Sequence, residues 1–438
     1  MRKPRDASHR EPPPSWASSG VSSRGRGSSS SSSLMRGPLL SIPLERDEGE
    51  YAYIAQRALH GDVPYRDAFN QKPPGVFVIY VAALLTAGRT ADAIHLFLGA
   101  WTLVTVWMLY RLVTRLADPT AGLLAALALT VTISGKGVLG SAANTEVFAL
   151  LPIVASLLCL VPAGSRAGGW RLTAAGALAA CAFWIKQTAI MDALFIAGWA
   201  AFTHFAESPR RRIGRFVLDE LCLVFGAALL TAPIVLYFLA NGALGDFVYC
   251  VFRYNLDYSA SGWASSGHSW VRLATSSLRI LSGAWPLEAA ALAAPWVLVR
   301  TGRRRLLAFL VAWSLLAFTG VCFGGYFRPH YFMQLLPPLA TLAGVGLAWI
   351  VSIIARRRVI GVRLLGYGLV LGTVVAAAVT ANRDILFAPM IVGAHLTACP
   401  PFVKDPSNLV EPAAALYSRF MDQFHHSEVA VPLRASNF

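Results

Sequence analysis

The sequence predicts an all-α fold, a polytopic bundle of transmembrane helices, on three observations. Of its 438 residues 55% are hydrophobic and 14% charged, more apolar surface than one soluble core can hide. Many apolar stretches approach the roughly 20 residues that carry a helix across hydrocarbon. The period-2 alternation of a membrane barrel is missing from them.

In chain order, residues 1–37 are rich in Ser, Arg and Pro, with a serine run from Ser28 to Ser33, and are expected to be a disordered tail. They lack the apolar core of about 7–15 residues that a signal peptide needs. Residues 38–91 read as a first outer loop with interfacial helices. Residues 92–381 read as the transmembrane domain, with about ten spans near 92–115, 120–135, 145–162, 170–186, 188–206, 216–240, 284–300, 305–323, 331–355 and 362–381. Residues 382–438 are expected to be a short outer segment without a soluble domain. The stretch Pro73 to Ala87 is short for a span and reads as interfacial or re-entrant.

A net charge of +15 would point to nucleic acid in a soluble protein, but here the arginines cluster between apolar runs and report topology instead. The connections carrying Arg111 and Arg115, Arg166 and Arg171, Arg210 to Arg215, Arg300 to Arg305, and Arg356 to Arg363 are expected to be cytoplasmic. Alternation then places outside residues 43–91, the loop at Asn144 and Glu146, the loop 241–283 and the turn Phe323 to His330. The six cysteines, Cys159, Cys181, Cys222, Cys250, Cys322 and Cys399, have no CxxC spacing and indicate neither a zinc site nor a disulfide framework.

The polar motifs lie in the outer regions. After Arg46-Asp47-Glu48-Gly49-Glu50, the positions Tyr51, Ile54, Ala55, Ala58 and Leu59 make an amphipathic helix expected to lie on the membrane. Glu50 reads as a helix-stabilising acid paired with Arg46 at i, i+4. Asp47 and Glu48, at the helix entrance beside a membrane-facing surface, read as functional. Lys72 precedes Pro73 and Pro74, which hold its backbone extended. Its ammonium suits a phosphate, or equally a snorkelling helix-end lysine. Glu146 heads a span, where a carboxylate favours the helix N-terminus and, with no partner in sight, reads first as a dipole cap. Arg328 and Tyr331 offer a guanidinium fork and a hydroxyl to a phosphate, or belong to an interfacial belt.

Together, RDEGEYAYIAQ, PYRDAFNQKPPG, ANTEVF and RPHYFMQLLP, in this order, resemble the C-type (GT-C) membrane glycosyltransferases of the protein mannosyltransferase and aminoarabinose transferase group, over about residues 43 to 381. The resemblance implies a polyprenyl-phosphate-linked sugar donor, an unspecified lipid, glycan or protein acceptor, and an active site on the periplasmic side of a bacterial inner membrane. It implies Asp47 as the main catalytic acid, with Glu48 in the adjacent position and Glu146 as the second-loop acid. It matches Lys72 and Tyr331 to phosphate contacts, and Arg253 more loosely.

These residue types fit such chemistry. A sugar on a lipid phosphate already carries a good leaving group, so cations such as Lys72, Arg328 and Arg253 are needed rather than a general acid. The acceptor hydroxyl needs a base, and Asp47 is the candidate, with inversion in a single displacement. Asp47, Glu48 and Glu146 also make an all-oxygen set suited to Mg²⁺ or Mn²⁺, and the metal question stays open. One departure stands out: the family has a transmembrane helix ahead of the RDEGEY segment, where this sequence has the tail and a short apolar patch, Gly37 to Leu44. The expectation is a misplaced start or a missing span with loss of activity. The rival from another class is a transporter or lipid flippase, which would place its polar site near the membrane midplane.

Overall fold

The structure is a computed structural model that describes residues 44–161, 168–207, 213–264 and 268–381. The tail 1–37, Arg166, Arg210 to Arg212, Cys399 and the segment 382–438 lie outside the described residues. The elements are α1 (Arg46–Leu59), α2 (Gly75–Ala87), α3 (Ala91–Leu116), α4 (Pro119–Ile133), α5 (Thr145–Leu160), α6 (Gly169–Ile185), α7 (Ile190–Glu207), α8 (Ile213–Ala240), α9 (Leu244–Val248), α10 (Tyr254–Ala264), α11 (Ser269–Gly283), α12 (Trp285–Arg300), α13 (Arg304–Cys322), α14 (Leu336–Ala355) and α15 (Ile360–Ala381). Local chemistry sets several of the boundaries. The Thr90 hydroxyl caps α3 through the Ala93 N–H, and Asp118 caps α4 through the Ala121 N–H with Pro119 opening the helix.

Six helical segments among the described residues are long and apolar enough to cross a membrane: Ala91–Leu116, Gln187–Ala206, Ile213–Ala240, Arg304–Cys322, Pro329–Ala355 and Ile360–Ala381. The expected count of about ten is not confirmed by these six. The predicted spans 120–135, 145–162 and 170–186 fold as the shorter apolar helices Pro119–Ile133, Thr145–Leu160 and Gly169–Ile185. At 1.5 Å per residue they reach about 22–26 Å, less than the roughly 30 Å of hydrocarbon. The predicted span 284–300 is the 16-residue α12, which carries Glu288 in its first turn and Arg300 in its last.

The arginine-bearing connections meet at one end of the bundle. Arg115 Nη1 donates to the Leu158 carbonyl at 3.0 Å, joining the last turns of α3 and α5, and Arg303 Nη2 donates to the Ala117 carbonyl at 3.4 Å. At that end the guanidinium groups of Arg111, Arg171 and Arg300 lie over the rings of Trp107, Trp170 and Trp296. This is the arginine and tryptophan girdle of a membrane interface. Large apolar side chains face outward along the bundle, among them Val224, Leu229, Leu364 and Leu369.

The helices approach closely where glycines remove side chains. A Cβ on Gly176 of α6 would run into the Leu223 backbone of α8, and one on Gly226 of α8 into the Thr173 backbone of α6. Gly344 of α14 leaves the same gap for Ala121 and Ala125 of α4. Small residues at such crossings let dispersion contacts hold helices together where lipid supplies no hydrophobic drive. Gly176→Leu is therefore expected to destabilise the bundle by about 1–3 kcal/mol through overpacking. Thermal unfolding in detergent checks this, with Gly198→Leu, whose Cβ would meet nothing within 4 Å, as the neutral control.

Candidate active site

At the other end of the bundle, α1 begins with a reciprocal capping box. The Glu45 carboxylate accepts from the Asp47 N–H at 3.3 Å, and the Glu48 carboxylate accepts from the Glu45 N–H at 2.7 Å. The apolar face of α1 turns to protein rather than lipid. Tyr51, Ile54 and Ala55 are buried, with the Tyr51 ring 5.6 Å from Tyr80 and 6.2 Å from Phe77 of α2. The expected membrane-lying helix is thus a packed one, because α2 offers that face an aromatic partner.

The two adjacent acids of α1 have different surroundings. Glu48 is 2% exposed; its Oε1 accepts from the Ala143 N–H at 2.5 Å and lies 3.2 Å from His95 Nε2. Both oxygens are therefore engaged, tying α1 to α3 and to the loop before α5. Asp47 instead keeps Oδ1 on the exposed Arg46, 2.7 Å from Nη2, and that pairing replaces the predicted Arg46–Glu50 pair. Burial would raise the Asp47 carboxyl, but the charges of Lys72 and Arg46 outweigh it and hold the group below its ordinary range. Glu50 accepts from Asn70 Nδ2 at 3.3 Å, and burial together with the Asp47 charge pushes it up to about 7.

Lys72 is held through its backbone. Its N–H donates to Asn70 Oδ1 at 2.9 Å, and its carbonyl accepts from the Tyr65 hydroxyl at 2.8 Å. Tyr65 itself sits at φ 72, a left-handed conformation costly for an aromatic residue, held among Phe77, Phe238 and Phe247. Gly75 then presses on the Trp184 carbonyl with no room for a Cβ, which brings the start of α2 against the end of α6. Burial would lower the Lys72 ammonium, but Glu146, Tyr331 and Asp47 more than offset it and keep the group charged well above its ordinary value.

Glu146 has a partner that the sequence did not reveal. Lys186 Nζ lies 2.6 Å from its Oε1, the Thr145 hydroxyl donates to Oε2 at 2.9 Å, and His330 Nε2 stands 4.0 Å away. Lys186 also sits 4.7 Å from the centroid of the Tyr331 ring. Tyr331 hydrogen-bonds Tyr258 of α10, whose hydroxyl burial pushes up to about 12. The 3₁₀ turn Pro329–Leu335 that carries His330 and Tyr331 is anchored from below. Asp192 of α7, 1% exposed, accepts from Gln334 Nε2 at 2.5 Å and from Trp313 Nε1 at 2.9 Å, and Gln334 Oε1 accepts from the Thr188 hydroxyl at 3.1 Å.

Lys72, Lys186, Tyr258 and Tyr331 line a cavity of about 270 Å³, walled further by Phe183, Phe252 and Leu256. Among the predicted residues, then, Asp47, Lys72, Glu146 and Tyr331 come together in one charged cluster, while Glu48 lies behind it as a tie. Arg328 stands at the edge, its guanidinium 6.0 Å from the Tyr326 ring. Arg253 is exposed and does not line the cavity, because the π-turn Tyr249–Arg253 directs Val251 inward instead. Lys186, His330, His95 and Asp192 were not singled out from sequence. Lys186 left one trace, as a lone cation closing the apolar run 170–185 at the same end as Lys72.

Of the oxygen set expected to suit a divalent metal, two members are already engaged within the protein. Glu48 has spent both oxygens on protein donors, Glu146 faces Lys186, and among the described residues no three His, Cys, Asp or Glu side chains group for a metal ion.

Comparison with known proteins supports the fold. Residues 71–237 match the family described as dolichyl-phosphate-mannose-protein mannosyltransferase. The structure of ArnT from Cupriavidus metallidurans bound to undecaprenyl phosphate superposes with a TM-score of 0.58 at 16% identity, over 92% of this chain and 80% of that one. The Archaeoglobus fulgidus oligosaccharyltransferase in complex with Zn and sulfate gives a TM-score of 0.54 at 13% identity, over 81% of this chain and 52% of that one. The same organism's oligosaccharyltransferase AglB, in complex with an inhibitory peptide and a dolichol-phosphate, gives 0.52 at 12% identity, over 81% and 55%. This chain spans about half the length of those oligosaccharyltransferases. No curated protein matches by sequence. A helical membrane bundle with its charged cluster at one end thus has the fold of ArnT, and one segment of it, residues 71–237, matches a mannosyltransferase family.

Proposed function

We propose that this chain transfers a sugar from a polyprenyl-phosphate carrier to an acceptor hydroxyl at the outer face of the membrane. The observation that carries the reading is the cavity bearing Lys72, Lys186 and Tyr331, with the Asp47 carboxylate within electrostatic reach of Lys72. ArnT bound to undecaprenyl phosphate and AglB in complex with a dolichol-phosphate supply the donor class by likeness.

Phosphate oxygens of the donor meet Lys72 and Lys186, whose charges grow in value as negative charge develops on the departing lipid phosphate. The Tyr331 hydroxyl adds a directional donor. Asp47 accepts the proton of the acceptor hydroxyl as its oxygen attacks the anomeric carbon, and the bond from that carbon to the phosphate oxygen breaks. The products are an inverted glycoside and the lipid phosphate. Glu146 keeps Lys186 oriented rather than reacting itself, and Asp192 holds the turn that presents Tyr331. Glu48 acts as a positioning residue for α1. The transporter reading loses weight because the charged cluster gathers at one end of the bundle rather than at its midplane.

Asp47→Asn is expected to lower kcat by about 10²–10⁴-fold, the usual cost of a lost general base. Lys72→Met is expected to cost about 10²–10³-fold as a lost charge stabiliser. Purified protein given a panel of radiolabelled polyprenyl-phosphate sugars checks both. Turnover unchanged in Asp47→Asn removes that residue from the mechanism, and a retained anomeric configuration removes single displacement.

Stability should vary with pH through Glu50. Its carboxyl is raised in the folded state to about 7, so the folded chain binds the proton more tightly than the unfolded one. The stabilisation by the neutral form is complete below the ordinary carboxylate pKa of about 4.3 and is lost as pH climbs through about 7. Glu50→Gln is expected to flatten that decline, read as the difference in apparent Tm between pH 5 and pH 8.

A further inference from the structure

We infer that the end of the bundle opposite the active site carries a binding site for an anionic phospholipid, built by Arg111, Arg115 and Arg171. Arg115 lies within electrostatic reach of both Arg111 and Arg171, and none of the three forms an ion pair with a carboxylate among the described residues. Three guanidinium groups gathered without an acid repel one another, and Arg111 and Arg115 do so at i, i+4 on the last turns of α3. The protein nonetheless holds each in place. Arg115 Nη1 donates to the carbonyls of Leu158 and Val161 at 3.0 and 3.4 Å. The guanidiniums of Arg111 and Arg171 lie 5.4 and 5.8 Å from the ring centroids of Trp107 and Trp170. Arg171 Nε is shielded from water and has no acceptor among the described residues. A fixed cationic set with an orphaned donor calls for an anion with several oxygens, and a phosphate suits forked donors of this kind.

The surroundings select a lipid as its source. Trp107 and Trp170 are 50% and 73% exposed on the bundle surface, where an indole marks headgroup depth. Basic pockets between transmembrane helices at such a depth take lipid phosphates. The acyl chains would run along the outward apolar faces of α3 and α6. The site is independent of the proposed sugar transfer.

Native mass spectrometry of the full chain in neutral detergent tests the inference, with phosphatidylglycerol and phosphatidylcholine as probes. Phosphatidylglycerol is expected to bind in clear preference, and each of Arg111→Gln and Arg171→Gln to weaken it roughly fivefold, from about 1 kcal/mol per arginine. Arg171→Lys, which keeps the charge but loses Nε, is expected to fall between, and covers the case in which the glutamine variant does not fold. Lys72→Met is expected to bind phosphatidylglycerol as the parent does. Equal binding of both lipids, full affinity in the Arg111→Gln/Arg171→Gln variant, or loss of binding in Lys72→Met would each overturn the site. So would displacement of the lipid by an equal concentration of inorganic phosphate, since the ligand would then be a soluble anion.

Discussion

A charge brought into a low-dielectric protein must find its compensation there, and this constraint organises the structure. Each carboxylate of the site end is matched by a different device. Glu48 takes two backbone amides and faces His95, Glu146 takes Lys186, Asp192 takes Gln334 and Trp313, and Asp47 shares Arg46 and Lys72. These pairings join residues far apart in sequence, so satisfying the charges also fixes which helices meet. The Glu48 tie seats α1 against the loop before α5, and the Asp192 tie seats the Pro329–Leu335 turn on α7 and α13.

Close backbone packing makes those ties reachable. Gly75 lets the loop bearing Lys72 press against the end of α6, where Lys186 emerges. Gly320 opens the space that Gln334 fills, since a Cβ there would meet the Gln334 amide. The two lysines therefore reach one cavity from separate segments of chain. Of the two, Lys72 has a backbone locked by Asn70 and Tyr65 while its ammonium forms no ion pair among the described residues, which leaves it the charge best placed to meet a ligand. Lys186 is already held by Glu146 at 2.6 Å and acts within that pair.

The same electrostatic demand explains the opposite end. There Arg111, Arg115 and Arg171 are met, among the described residues, by carbonyl oxygens and indole faces, which orient a guanidinium without neutralising it. One end thus pairs its charges internally around a cavity, and at the other these three arginines meet no carboxylate among the described residues.

Composition alone made this chain a helical membrane protein, because 55% hydrophobic residues have no other solvent. The arginine clusters supplied the alternation of helix ends, since their cost in hydrocarbon keeps them at its boundary. The motifs around Asp47, Lys72, Glu146 and Tyr331 were legible because Pro, Gly and paired acids leave local signatures. What the sequence did not carry was which charge meets which. Glu146 read as a helix cap until the fold brought Lys186 to it across forty residues, and Glu48 read as reactive until the Ala143 amide claimed its oxygen. The span count also needed the tertiary structure, because apolar runs of similar hydropathy ended as helices of different length. Ion pairing and burial are decided by long-range packing, which periodicity and spacing do not encode.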